Sequence, residues 1–326
     1  MPLTSFALND QNSNWPLVSV VLPVFNGARY LREAIDSILG QSFRDFELII
    51  INDGSKDDSG SIIEQYDDPR IRYYIQSNMG LAGALNRGIG FARGRYVARQ
   101  DQDDVSRTTR LAQQVRFLDD HPEFGMVGTR AEIWIEGQST PVSFKHPCDD
   151  DALRFNLLFN NPFVHSSMMI RTEVFSEVGT YCTDKSRQPP EDYELWSRVA
   201  RSFKVGNLDE VLHVYRETGS SMSRTGTNPF LEKVVKISTE NLLHYLGDGA
   251  TLHDVANLAA IYNGAFEMVR SPVRPITLGV LLLRAVAKAS EGRMFSLLRR
   301  CGIRSLVKFY GRCFFYVSFC ASGRGK

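Results

Sequence analysis

Residues 17–24, LVSVVLPV, form an unbroken valine-rich apolar run, which predicts a strand covered on both faces, as in a parallel sheet. After a turn at Gly27, the apolar positions Tyr30, Leu31, Ala34, Ile35 and Ile38 fall at helical spacing, so Ala28–Leu39 reads as a helix. Phe46–Ile51 is a second buried strand, followed by a polar helix over roughly Asp57–Tyr66. Ile71–Ile75 is a third strand, Leu81–Ala92 a small-residue helix, and Arg95–Arg99 a fourth strand. Val105–Asp119 is expected to be helical, with Leu111, Val115 and Leu118 on one face. Strands and helices alternating at this spacing imply βαβ units and a largely parallel sheet flanked by helices, an α/β fold. Beyond Phe124 the pattern turns to mixed strands and helices through about Tyr215, and Pro229–Leu246 and Leu252–Val269 read as helices.

In open parallel sheets, ligands bind at the carboxyl ends of the strands. Polar residues fall at those ends here: Asn26 after the first strand, Asp53 after the second, Asn78 after the third, Asp101 and Asp103 after the fourth. Four strands delivering polar groups to one edge define a candidate site.

Composition narrows the class. With 326 residues, 43% hydrophobic and 23% charged, the chain can bury a sizeable core, which excludes a disordered, collagen-like or disulfide-scaffold protein. The net charge of +1 conceals a division. From Arg270 to Lys326 there are twelve Lys/Arg and one acid, Glu291, so this segment carries +11 and the rest of the chain −10. The five cysteines, Cys148, Cys182, Cys301, Cys313 and Cys320, are scattered without a C-x-x-C, and read as reduced thiols of a cytosolic protein. Met1–Pro16 lacks the basic-then-apolar pattern of a signal peptide, and no apolar run reaches the roughly 18 residues of a membrane span.

Asp101-Gln102-Asp103-Asp104 packs three carboxylates into four residues. Such a cluster suits a hard divalent cation, which shares its ligands with substrate phosphates. The competing reading is a helix start, with Asp104 capping a helix from Val105. Glu191-Asp192 precedes an amphipathic helix, and supplies either a general base or an N-cap. Gly88-Ile89-Gly90 with Gly94 lies inside a predicted helix, which excludes a dinucleotide fingerprint and disfavours a nucleotide-dependent oxidoreductase. His165 and His213 stand alone and read as structural.

Taken together, VSVVLPVFNGARYLREAIDSILGQSFRDFELIIINDGSKDDS, the Asn78-Met79-Gly80 loop, ARGRYVARQDQDD and EDYELW resemble family 2 glycosyltransferases of the GT-A fold, over about Val18 to Ser223. The resemblance implies a Rossmann-like, mixed and mostly parallel sheet, and an enzyme that moves a sugar from a nucleotide-diphosphate sugar, typically a UDP-sugar, with inversion. By the same resemblance Pro23, Val24 and Asn26 would lie along the nucleotide. Asp53 would accept a hydrogen bond from the base, and Asn78 and Gly80 would close over it. Asp101 would reach the ribose or the metal, Asp103 would bind the Mn²⁺ or Mg²⁺ that bridges the diphosphate, and Asp192 would deprotonate the acceptor hydroxyl. The family often carries Arg-x-His-x-x-Ser near the end of this domain. Here Thr218 stands where that His would be, Arg216 remains as a phosphate donor, and His213 would need a register shift to substitute. The alternative is a non-catalytic nucleotide-sugar or glycan-binding module with a decayed metal site.

The expected organisation is an N-terminal extension over 1–16, a catalytic domain over 17–225, and a helical region over 226–326 ending in a basic tail. Arg300, Arg304, Lys308 and Arg312 recur every four residues among aromatics, the pattern of a helix attracted to anionic lipid. The competing reading of that tail is a helix packed on the catalytic domain, or an oligomer contact. The chain is thus expected at the cytoplasmic face of a membrane, extending a glycan or lipid-linked glycan for surface polysaccharide. Nucleic acid is not an expected partner, since no recognised module surrounds the basic stripe.

Overall fold

The valine-rich run becomes β1 (Val18–Val24), and every one of its residues is buried. It lies parallel between β2 (Phe46–Asn52) and β4 (Tyr96–Arg99), and β2 pairs in parallel with β3 (Ile71–Ile75). The structure, a computed structural model, describes residues 15–136, 138–218, 229–290, 309–312 and 316. Alternate side chains of β1 go to opposite faces, as strand geometry requires. Val18, Val20, Leu22 and Val24 pack with Leu31, Ile35 and Ile38 of α1 (Ala28–Leu39). On the other face Val21, with Ile49 and Ile51 of β2, packs against Ala82 and Leu85 of α3 (Gly80–Phe91). Between β2 and β3 lies the short α2 (Ser59–Glu64). Gly88 serves this packing: a Cβ there would run into the Val21 side chain, so the glycine lets α3 close on β1.

The helix expected from Val105 is shorter than the pattern implied. Val105–Ser106 is a strand, β5, and α4 (Arg110–Asp120) begins only after Thr109. The reason lies in the pairing of Val105–Ser106 with β9 and in the buried polar side chains of Asp104, Ser106 and Arg110, which belong to a network described below. The second half supplies β6 (Phe124–Ile135), β7 (Gln138–Phe144), α5 (Asp150–Leu157), β8 (Met169–Arg171), α6 (Thr172–Val178), α7 (Glu191–Ser202) and β9 (Lys204–Glu217). The sheet order is β3-β2-β1-β4-β8-β6-β9-β5, with β7 on β6. Pairing is parallel through the first four strands and between β6 and β9; β8 runs antiparallel to β4 and β6, and β5 to β9. The β5 pairing, Val105 with Val214, brings the end of β9 back beside the carboxylate cluster.

Three helices follow: α8 (Leu231–Leu246), α9 (Leu252–Asn263) and α10 (Pro275–Ala289). The expected helix to Val269 stops early because Gly264 takes the left-handed conformation (φ 78°) that ends helices. Val234 and Ile237 of α8 join the core of the sheet domain, while Leu242 packs with Leu258, Leu278 and Leu282 in a separate helical core that reaches Phe155 and Phe159. Residues 1–14 of the expected N-terminal extension lie outside the described residues. So do Arg293, Arg299, Arg300, Arg304, Lys308, Arg324 and Lys326 of the basic tail, leaving Arg312 as the described member of its stripe. Among the described residues, no helix is long and apolar enough to cross a membrane.

Candidate functional site

The carboxyl ends of β1, β2 and β4 and the starts of α3 and α7 surround a cleft of about 930 Å³. Pro23, Val24, Asp53, Asn78, Gly80, Asp101, Asp103, Asp192, Arg216 and Thr218 all line it. Of the expected site residues, Asn26 stands outside the lining. Its left-handed backbone (φ 51°) turns the chain out of β1, its N–H donates to Ser55 Oγ (3.1 Å), and its Oδ1 accepts from Lys56 N (2.8 Å). It joins the loop after β1 to the loop after β2.

Asp53 follows β2 and is 3% exposed. Its Oδ1 accepts from Gln76 Nε2 (2.6 Å) and the Met79 amide (2.8 Å), and its Oδ2 from the Gly80 amide (2.9 Å). The carboxylate therefore ties down the loop that leads from β3 into α3, at a helix N-terminus where negative charge is favoured. Gly80 has φ 78°, a conformation that glycine adopts without strain.

The acidic cluster divides by depth. Asp104 is 1% exposed; its Oδ1 accepts from the Arg216 amide (2.8 Å), and its Oδ2 takes hydrogen bonds from Ser166 Oγ and His213 Nε2 (3.2 Å). It caps no helix. Instead it fastens β9 and the turn at Ser166 to the end of β4. His213 is fully buried in this network, its Nδ1 faces Arg110 Nη1 at 3.3 Å, and it stands behind the cleft lining, where its place is structural.

Asp101 and Asp103 face the cleft. Asp101 Oδ1 accepts from Arg99 Nη1 (2.6 Å). Asp103 takes no hydrogen bond from another described residue, and burial, then the charges of Asp101 and Asp104, push its carboxyl up to about 7. Burial raises Asp101 as well, against the opposing pull of Arg99. Bringing a cation between them would reverse both shifts, because opposite charge favours the ionised form. Among the described residues no three-ligand His/Cys/Asp/Glu group is present. The pair thus fits a hard cation that completes its shell with substrate oxygens and water.

Gln102, between the two acids, makes a paired contact with the backbone of Phe25: Phe25 N donates to its Oε1 (2.8 Å), and its Nε2 to Phe25 O (3.2 Å). The loop after β1 is thereby locked to the loop after β4.

Opposite stands the start of α7. Asp192 Oδ1 accepts from the Tyr193 amide (2.7 Å), and Oδ2 from Asn161 Nδ2 (2.7 Å). Pro190 holds the N-cap position, so Asp192 is not the cap. Burial raises its carboxyl, the two hydrogen bonds opposing. Burial and the Asp192 charge push neighbouring Glu191 up to about 7. His165, expected to be structural, lies in the cleft: Nδ1 is 4.0 Å from Asp192 Oδ2, and Nε2 is 2.9 Å from Tyr181 OH. Burial lowers its basicity, which favours the neutral imidazole.

Arg216 lines the cleft with its guanidinium held over the Tyr30 ring (4.1 Å) and bonded to Glu33 (2.8 Å). Sequence reasoning missed Arg99, Gln102, Asn161 and the placement of His165. A charged residue ending a buried strand, directly before the acidic cluster, was the available signal for Arg99.

The profile of Glycosyl transferase family 2 matches residues 19–179. An uncharacterized glycosyltransferase of Haemophilus influenzae is 32% identical over 244 residues, 72% of this chain and 75% of that one. The putative glycosyltransferase EpsE of Bacillus subtilis is 33% identical over 214 residues, 64% and 76% of the two chains. Among solved structures, S. aureus TarS 1-349 in complex with UDP-GlcNAc superposes with a TM-score of 0.60 at 18% identity, covering 94% of this chain and 92% of that one. The mannosyltransferase PcManGT from Pyrobaculum calidifontis, in complex with GDP-Man and Mn²⁺, gives 0.52 at 18% identity, covering 92% and 87%. At these identities the structural likeness establishes the fold, which is of the GT-A type.

Proposed function

Because the chain belongs to glycosyl transferase family 2, we propose that its cleft transfers a sugar from a nucleotide-diphosphate sugar, a UDP-sugar in the first instance, to a hydroxyl of a glycan or lipid-linked glycan with inversion. The observation that carries this reading is the convergence of Asp53, Asp101, Asp103 and Asp192 on one cleft at the strand ends.

Asp53 and the loop it fastens receive the base, with Asn78 and Gly80 against it and Pro23 and Val24 along the nucleotide. Asp101 and Asp103 hold Mn²⁺ or Mg²⁺, which when bound offsets the charge that develops on the departing diphosphate. That solved relatives of the fold carry UDP-GlcNAc, or GDP-Man with Mn²⁺, supports the donor class and the metal. Asp192 takes the proton of the acceptor hydroxyl, an alcohol being a weak nucleophile at neutral pH. Asn161 and the Tyr193 amide fix the carboxylate while leaving it lone pairs for that proton. One displacement assisted by one base inverts the anomeric centre, so an α-linked donor gives a β-linkage. With Thr218 in place of the family's His, the metal would rest on Asp101, Asp103, substrate oxygens and water, with Arg216 of the cleft lining as an added phosphate donor.

We further place the chain at the cytoplasmic face of a membrane, in surface polysaccharide assembly. The exposed stripe of α10 supports this: Ile276, Val280, Arg284 and Lys288 recur every four residues, apolar first and basic after. Thermal unfolding against a panel of nucleotide sugars, with and without Mn²⁺, tests the donor reading, because a ligand bound only by the native state raises the midpoint. A Mn²⁺-dependent rise with one donor is expected; no response to any nucleotide would overturn it.

A further inference from the structure

Arg99 ends β4 at the floor of the cleft, and its backbone is fixed by hydrogen bonds with Met168 O (2.8 Å) and Arg110 Nη2 (2.7 Å). Its side chain is 3% exposed. Only Nη1 is committed, to Asp101. Nε and Nη2 reach no acceptor among the described residues, although both are buried. These two groups form the parallel N–H edge of the guanidinium, the edge that grips paired oxygens. Two other buried arginines use the whole of that edge, and Arg110 and Arg216 use its Nη2 and leave only Nε unpartnered among the described residues. Arg154 places it on Asp150 and Phe203 O, and Arg171 on Phe124 O and the carbonyls of Leu118 and His121. Buried donors in a native protein have partners, so an empty edge in a cleft wall calls for one from outside.

Its surroundings say where that partner sits. Arg99 lines one cleft with Asp101 and Asp103 of its own strand end, and with His165, Glu191 and Asp192 from the turn before β8 and the start of α7. In the reading above, diphosphate lies at the first group and acceptor hydroxyl at the second, so the ring of the transferred sugar lies between them. We propose that the Nε/Nη2 edge of Arg99 is the subsite for hydroxyl oxygens of the transferred sugar, a role that rests on that reading. Neutral hydroxyls are selected over a carboxylate, since Asp101, Glu191 and Asp192 already crowd the space with negative charge. Arg99 then does two tasks with separate edges: Nη1 orients Asp101, and Nε/Nη2 read the sugar.

Calorimetric titration of the full chain in Mn²⁺ separates the two. The ligands are UDP, the best-bound neutral UDP-sugar of a panel, and UDP-glucuronate, with GDP and GDP-mannose run alongside. Wild type is expected to bind the neutral UDP-sugar about tenfold more tightly than UDP, and glucuronate no more tightly than UDP. Arg99→Lys, which keeps the charge beside Asp101 but lacks the fork, should erase that tenfold increment while leaving UDP within about twofold, and Arg99→Gln should erase it too but weaken UDP as well, because Asp101 loses its charged partner. Equal losses for UDP and UDP-sugar in both variants would reduce Arg99 to a support for Asp101 and overturn the proposal. So would an intact increment, a wild type that binds no sugar nucleotide better than its nucleotide, or a preference for glucuronate. Failure of wild type to bind any nucleotide would instead strike the functional reading itself, and this proposal with it.

Discussion

Replacing Asp53 by Asn alters one atom and removes one charge, yet it reaches three hydrogen bonds. The carboxylate accepts from Gln76 Nε2, Met79 N and Gly80 N at 2.6, 2.8 and 2.9 Å. All three partners are donors, so an Asn amide must turn its NH₂ toward at least one of them. If the NH₂ takes the Oδ2 place, the Gly80 amide loses its charged acceptor and keeps only the longer bond to Asn78 Oδ1 (3.2 Å); if it takes the Oδ1 place, Gln76 and the Met79 amide lose theirs. A hydrogen bond to a charged group contributes about 1.5–3 kcal/mol, so loosening the Asn78–Gly80 loop by one such bond costs about 2 kcal/mol. Where the loop must be ordered to receive the base, that converts to roughly thirtyfold weaker nucleotide binding, at tenfold per 1.4 kcal/mol. Equilibrium titration of UDP into wild type and Asp53→Asn reads this directly, and hydrogen exchange at Met79 and Gly80 reports the loop. Nucleotide affinity within twofold of wild type, with those amides unchanged in protection, would refute the reasoning.

Asp103→Ala should weaken donor binding in Mn²⁺ at least tenfold and leave metal-free binding nearly unchanged, as titration with and without chelator will show. Asp104→Ala should act on stability instead. It strands the buried Arg216 amide, leaves His213 and Ser166 Oγ only each other at that end, and removes the carboxylate from beside buried Arg110, so it should lower the unfolding free energy by about 3 kcal/mol in urea titration. The pH profile has a fixed sign: Asp192 works as the carboxylate, and burial raises its pKa, so kcat/KM should fall as pH drops through a limb above the ordinary carboxylate range. Asn161→Ala removes a donor to the charged form and should move that limb to higher pH; a limb that stays put or moves down would detach Asn161 from the base.

The parallel core was legible because burial on both faces leaves its mark in one run of residues. β1 sends Val18, Val20, Leu22 and Val24 one way and Val21 the other, and only an apolar run satisfies both. The strand-end acids were legible for the same reason, since they interrupt such runs where the sheet meets the cleft. The helix from Val105 was misread because a local apolar period cannot reveal that Asp104 and Arg110 are claimed by distant partners. Those partners, Ser166, His213 and the Arg216 amide, come from turns and strands some 60 to 110 residues later. His165 was passed over for a like reason. Its neighbours Tyr181 and Asp192 come together only through the turn at Ser166, the chain after α6 and the start of α7. Arg99 shows the limit most clearly: sequence gives a charge at a strand end, while the fold alone shows which N–H groups are spoken for.

The claim that joins these residues is that Asp192 activates an acceptor in a cleft that holds a nucleotide sugar. Release of nucleoside diphosphate from the donor selected by thermal shift, followed with Mn²⁺ and a lipid-linked glycan fraction for wild type and Asp192→Asn, tests it most directly. The account predicts turnover by wild type, and a variant that binds donor within about twofold but releases product at least about a hundredfold more slowly. Turnover by Asp192→Asn at the wild-type rate would contradict it.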